Sequence, residues 1–206
     1  MIVNPRRYAT QKRIQQALIT LIAQMTFKQV TVGALIKTAQ VSRGTFYRYY
    51  LDKYDLLSKT EDRLIIGARD IFTHYDKPDL TVLPVGKVND AFYALLVYLY
   101  RHRRAVTILL NCGDSTLQLK IHDLIRATIR LPLATTLTTA ETVAMPVALI
   151  EELVVQNIMT ILAFWLRQPT IIAPKAAYQI FVQSRRLSPI ALTGLLQEKS
   201  AMEARS

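Results

Sequence analysis

The sequence predicts an all-α protein in two parts, a small three-helix head followed by a larger helical body. Three observations carry that expectation. Glycine and proline are scarce, at 6 and 8 of 206 residues. Apolar residues recur three and four positions apart in segment after segment, the period of an amphipathic helix. Positive charge gathers at one end: residues 1–59 hold ten Lys/Arg against two acids, and residues 60–206 hold sixteen against thirteen. The head thus supplies +8 of the net +11 and the body only +3. A basic head on an apolar body points to an acidic partner. The expected division is 1–55 for the head and 56–206 for the body.

Each element has its own local reason. From Thr10 to Met25 the apolar residues Ile14, Ala17, Leu18, Leu21, Ile22 and Met25 form one stripe, with Thr10 as the starting cap. Thr31 then caps a short helix that turns Leu35, Ile36 and Ala39 inward. Gln40-Val41-Ser42 makes a tight connection, and Ser42 is placed to cap a third helix, Arg43 to Tyr49. A long fourth helix begins after Asp52 and buries Leu56, Leu57, Leu64, Ile65, Ala68 and Phe72. It crosses the charge boundary and links head to body.

The segment 73–86 reads as a loop, from its two prolines, aspartates and glycine. Further helices are predicted over 87–102, 104–111 and 115–130. Gly113 ends the second of these and Asp114 or Ser115 caps the third. Pro132 opens a Thr-rich stretch read as loop. Two last helices cover 146–168 and 175–184, the second resuming over 189–199, and the tail frays.

Several classes are disfavoured. The single cysteine, Cys112, has no internal partner, which suits a reducing compartment. The start of the chain is polar and basic and lacks the apolar centre of a signal peptide. No run reaches the roughly 18 apolar residues of a membrane span. The expectation is a cytoplasmic protein with no membrane partner. His74, His102 and His122 lack metal-site spacing. No glycine-rich phosphate loop occurs. No enzyme, cofactor or metal is expected.

Two short helices joined by a tight connection inside a basic head form a helix-turn-helix pattern. Over residues 31–57, TVGALIKTAQVSRGTFYRYYLDKYDLL, the pattern becomes specific. The Thr31 start, the Val41-Ser42 turn, the Thr45-Phe46-Tyr47 core, the Tyr49-Tyr50 pair, Lys53 and Leu56-Leu57 together resemble the DNA-binding signature of the TetR family of bacterial transcription regulators. The resemblance covers about residues 10–60. Three positions depart from it. Gln40 stands where a turn glycine is usual, Gly33 sits inside the second helix, and Ile36 replaces a small residue. These bear on the docking angle.

In such a module the second helix enters the major groove and its first residues meet base edges. Arg43 can fork onto guanine, and Gly44 lets the backbone approach. Thr45 offers a methyl or a hydroxyl. Tyr47 and Tyr49 offer hydroxyls to phosphate, and Arg48 lies on the outer face. Thr31 and Ser42 both cap helices and hold phosphate at helix N-termini. Lys53 is expected to clamp the DNA backbone. Phe46 and Tyr50 are expected to face inward.

The resemblance implies a homodimer that binds double-stranded DNA as a repressor and answers to a small-molecule effector. The helix VALIEELVVQNIMTILAFWLRQ is apolar on nearly every side, so it calls for burial in a core or against a partner. Phe92, Tyr93, Leu96, Tyr100, Ile125, Ile129, Phe164 and Trp165 are candidate effector contacts, and plain core packing is the competing reading. Gln156 and Asn157 interrupt the apolar helix, either for a ligand or for dimer register. The basic run 101–104 reads either as a second basic patch or, by preference, as a cationic helix end. A rival reading of the whole chain is a helix-turn-helix protein that has lost DNA binding and docks a protein partner.

Overall fold

The computed structural model describes residues 5–75, 90–129, 146–168 and 172–184, and these are helical apart from their connections. Helix α1 spans Pro5–Ile22, α2 Val32–Ala39, α3 Arg43–Tyr49 and α4 Lys53–His74. They are followed by α5 Ala91–Arg101, α6 Arg103–Leu110, α7 Leu117–Ile129, α8 Val147–Arg167 and α9 Pro174–Ser184. A short 3-10 helix, Phe27–Gln29, lies between α1 and α2.

Helix α1 starts five residues before the expected cap. Proline suits a first helical position because its missing N–H would have no partner there. Thr10 is therefore inside the helix, where its hydroxyl donates back to the Arg6 carbonyl at 3.0 Å. This extension brings Arg6 and Arg7 onto a helix. The caps expected at Thr31 and Ser42 form: Thr31 Oγ1 accepts from the Ala34 N–H and Ser42 Oγ from the Thr45 N–H, both at 3.1 Å. Asp52 Oδ1 caps α4 by accepting from the Asp55 N–H at 2.8 Å.

The head packs α1 against α2 and α4. Ile14, Leu18, Phe27, Leu35, Phe46, Tyr50 and Leu56 are among its fully buried residues. Phe46 and Tyr50 thus face inward, as their helical spacing requires.

Helix α4 serves both parts of the fold. Its first half packs in the head, and it also contacts α5 and α7 of the body. It runs through Thr73 and His74, which were expected to open the loop; residues 76–89 lie outside the described residues. Helix α5 starts later than expected, at Ala91, because Asp90 Oδ1 accepts from the Tyr93 N–H at 2.8 Å.

Helix α7 starts at Leu117, and its first turn is held mainly from a distance. Ser115 Oγ accepts from the Leu117 N–H at 3.2 Å, while Thr116 is bonded by Glu61 of α4. The Thr-rich stretch and the 189–199 segment lie outside the described residues. In the body α5 packs on α9, α7 on α8, and α6 on both α7 and α8. Helix α8 buries Val155, Ile158, Leu162, Trp165 and Leu166 but leaves Leu149, Leu153 and Phe164 exposed.

Candidate nucleic-acid interface

The turn between α2 and α3 sets the presentation of α3. Gln40 closes α2 in the left-handed conformation, at φ 51° and ψ 52°. The Gln40 N–H bonds the Lys37 carbonyl and the Val41 N–H bonds the Ile36 carbonyl, each at 3.2 Å, the pairing of a Schellman cap. Gln40 is the one non-glycine residue with positive φ among the described residues. Its carbonyl is held from α1 by Arg13 Nη2 at 2.8 Å. The departure from glycine read in the sequence is thus accommodated by a fixed turn tied to α1.

Helix α3 has two opposed faces. Phe46 is fully buried, and Tyr50, just after the helix, is 2% exposed. Ser42, Arg43, Gly44, Tyr47 and Arg48 are exposed, while Thr45 and Tyr49 are half-buried. The exposed set follows the helical period, so it forms one continuous outward strip. Nothing lies within 4 Å of where a Cβ on Gly44 would be. The absence of a side chain there serves no packing inside this chain. Tyr47 stands edge-on to Phe46, with ring centroids 5.4 Å apart, which fixes its ring direction. The hydroxyls of Thr45 and Ser42 share a hydrogen bond at 2.8 Å.

Sequence reasoning missed a second part of this surface. Arg6, Arg7 and Thr10 of α1 line a groove of about 530 Å³ with Thr45, Arg48 and Tyr49. The Arg7 guanidinium sits 5.7 Å from the Tyr49 ring centroid. Only the late placement of the α1 start hid these residues. The signal that would have found them was Pro5 followed by two arginines.

Lys53 is placed otherwise than expected. Its ammonium donates to the carbonyls of Phe27 at 3.0 Å, Lys28 at 2.9 Å and Val30 at 2.9 Å. That uses all three of its protons. It also lies 4.9 Å from the Phe27 ring centroid. In this arrangement Lys53 ties α4 to the segment that leads into α2, and no proton remains for a phosphate. The reason is geometric: the carbonyls of Phe27 and Lys28 in the 3-10 helix, and of Val30 just after it, point at the start of α4.

Asp55 is held by its own neighbours. Partial burial acts to raise its pKa, but hydrogen bonds from Lys59 at 2.8 Å and the Leu51 N–H at 2.9 Å outweigh this and hold it below the usual carboxylate value. Lys59 also donates to the Tyr49 carbonyl at 3.1 Å, at the end of α3. Burial pushes the Tyr50 hydroxyl up to about 12, so this ring stays neutral in the head core.

The candidate effector contacts divide differently. Phe92, Leu96, Ile125 and Trp165 are buried. Tyr93 and Tyr100 are half-buried and pack against the core. Phe92 stacks on Phe181 at 3.7 Å between centroids, and Trp165 Nε1 donates to the Ile172 carbonyl at 3.0 Å. Phe164 is 64% exposed, because one helical step of about 100° turns it away from buried Trp165. That corrects its placement as a pocket wall. The Ile129 side chain lies outside the described residues. None of the eight lines the groove of about 850 Å³ between α1, α4 and the α5–α6 corner. Gln156 donates to Glu152 at 2.8 Å on the exposed side of α8.

A short capped helix displayed on a basic three-helix head defines a helix-turn-helix protein. Residues 14–60 match the family described as bacterial regulatory proteins, tetR family. The chain carries the N-terminal module of the TetR family. A stretch of 109 residues is 25% identical to YxbF of Bacillus subtilis (strain 168), an uncharacterized HTH-type transcriptional regulator. It covers 51% of this chain and 27% of YxbF, about a quarter of that relative's length. The fold is similar to that of a TetR transcriptional regulator from Streptococcus agalactiae, with TM-score 0.60 and 17% identity over 87% of this chain and 95% of that one. It is also similar to NalD, the secondary repressor of the MexAB-OprM multidrug efflux pump in Pseudomonas aeruginosa. There the TM-score is 0.58 and the identity 14%, over 87% of this chain and 96% of that one. Among the described residues no helix is long and apolar enough to cross a membrane.

Proposed function

We propose that the chain is a transcriptional regulator that binds duplex DNA as a homodimer and represses from an inverted-repeat operator. The observation that carries this reading is the outward strip of α3, continuous with the arginine-lined groove at the start of α1. Arg43, Gly44, Thr45 and Tyr47 are the base-facing residues, at the N-terminal end of α3. Arg48, Tyr49, Arg6, Arg7 and the helix N-termini at Thr31 and Ser42 meet phosphates, which position the head without specifying sequence. Lys53 acts indirectly, by holding the entry to α2. The exposed apolar residues of α8 are the dimer face, and pairing sets two α3 helices about 34–36 Å apart. A small molecule held in the body would bias the pose of the head through α4.

The test is a gel shift of the full chain against genomic fragments at several salt concentrations. The six phosphate-facing groups of each subunit make about twelve contacts per dimer, which give a slope of log K against log salt near −11. Absent or salt-insensitive binding, with a protein partner captured instead, favours the reading of a head that has lost DNA.

A further inference from the structure

We propose that the groove between head and body is a binding site for a small organic anion with a flat apolar part. The groove encloses about 850 Å³, within the range of small-molecule sites. Its walls come from one face of α1, the facing side of α4, and the corner where α5 meets α6.

Its charge is one-sided. Lys12, Arg63, Arg101 and Arg104 line it, and Asp70 is the single carboxylate among the lining residues. Among the described residues Lys12, Arg101 and Arg104 form no ion pair, so their charge is uncompensated. A cleft of one sign with apolar walls concentrates an opposite charge. Arg63 is fixed in place: Nη1 donates to Gln15 Oε1 at 2.9 Å, and the guanidinium lies 4.2 Å from the Tyr8 ring centroid. A planar cation held on an aromatic ring presents its remaining N–H groups as a fork suited to carboxylate, sulfonate or phosphate.

The apolar part of the ligand has a matching wall. The Tyr98 ring is held between α4, where its hydroxyl donates to the Leu64 carbonyl at 3.1 Å, and the His102 ring, 4.2 Å away between centroids, and the exposed Ile66 side chain completes the wall. A Cβ on Gly67 would strike that hydroxyl and ring, so glycine at this position lets Tyr98 settle there. Ile19 and Leu64 form the floor, and both are buried. An inorganic ion would leave this surface unused.

An occupant would bridge α1 of the head to the α5–α6 corner of the body. It would favour one arrangement of the two, and its effect on DNA rests on the function proposed above. Its binding does not, and is measured without DNA.

The full chain is titrated with the aromatic anion 8-anilinonaphthalene-1-sulfonate, followed by fluorescence. Its uncharged counterpart N-phenyl-1-naphthylamine serves as control. Saturable binding of the anion, with much weaker binding of the counterpart, is expected. Arg101 and Arg104 are exposed, so Arg101→Ala and Arg104→Ala leave the helical circular dichroism unchanged. The pair together weakens the anion about tenfold, the loss of one charge-assisted contact. The same pair leaves duplex affinity of the dye-free protein unchanged. Dye binding indifferent to both substitutions overturns the proposal, since the dye then sits elsewhere. Equal binding of the uncharged counterpart overturns the anion class. A matching loss of duplex affinity makes the groove part of the DNA path and overturns it too. Failure of the duplex itself to bind leaves the dye result standing.

Discussion

Glu61 of α4 and Thr116, just before α7, are joined by two hydrogen bonds. The Thr116 N–H reaches one carboxylate oxygen at 3.0 Å and its hydroxyl the other at 2.7 Å. Glu61 is 1% exposed, and Lys120, one turn into α7, lies 3.0 Å from the same carboxylate. A carboxylate at a helix N-terminus is favoured by the unpaired N–H groups there. This buried anion is thus fully matched, and it fastens the helix shared with the head to the body. Glu61→Ala is expected to lower stability by about 3 kcal/mol, because both Thr116 donors lose their partner and Lys120 keeps only the Asp62 carboxylate, at 2.6 Å. Urea denaturation checks it, and a loss below ~1 kcal/mol would show the contact to be incidental.

Lys53 separates two roles that its sequence position alone does not. As a phosphate contact, Lys53→Met would remove one contact from each subunit, make the dimer's salt slope shallower by about 1.8 and leave stability alone. As the donor to three carbonyls, it supports the entry to α2. The expected outcome is a stability loss of about 2 kcal/mol with the slope unchanged, since charged hydrogen bonds contribute roughly 1.5–3 kcal/mol. Urea curves and gel shifts over a salt series decide between them.

The local parts of this fold were legible in the sequence and the distant ones were not. Thr31, Ser42 and the inward Phe46 follow from cap chemistry and a 3.6-residue period, which act within a few positions. Gln40 was marked by the resemblance instead, as standing where a turn glycine is usual, and it takes the left-handed conformation that glycine would serve. The carbonyl partners of Lys53 were not legible because they lie 23 to 26 positions back, in and just after a 3-10 helix whose carbonyl direction no period encodes. The tie of Thr116 to Glu61 spans 55 positions and was invisible for the same cause. Phe164 and Trp165 are adjacent apolar aromatics in a helix apolar all round. Composition does not say which of the two the rest of the chain covers.

Gly44 offers a clean split between folding and binding. The space beside it is empty, so Gly44→Ala meets no clash inside the chain. Alanine is a better helix former by up to ~1 kcal/mol, so stability is expected to hold or rise. If α3 approaches DNA through this gap, the added methyl weakens duplex binding. Thermal unfolding and gel shift on the same preparation give the two readings. Unchanged duplex affinity would remove Gly44 from the interface.

The lowered pKa of Asp55 sets a direction for acid sensitivity. A carboxyl that ionises more readily folded than unfolded contributes stability at neutral pH and above. That contribution fades as pH falls through the folded-state value, below the usual carboxylate range. Wild type is expected to exceed Asp55→Asn in Tm at pH 7, and the gap is expected to close on acidification. A gap that persists at pH 2 would assign the effect to something other than this charge.

The exposed apolar strip on α8 bears on assembly. Leu149, Leu153 and Phe164 are 46%, 54% and 64% exposed, and Ile180 of α9 is 44% exposed. The three on α8 lie on one face of the helix, and the residues opposite them, Val155, Ile158, Leu162 and Leu166, are buried in the body. Substituting Phe164 should therefore leave the core intact. A two-fold interface brings the same patch from both copies together, so one introduced charge is doubled across it. Phe164→Glu is expected to shift the protein from dimer to monomer in sedimentation equilibrium while helical circular dichroism is kept. The monomer carries a single α3, so it loses the avidity of two linked half-sites and binds an inverted repeat at least about 100-fold more weakly. A variant that remains a dimer would place the interface on another face of the body.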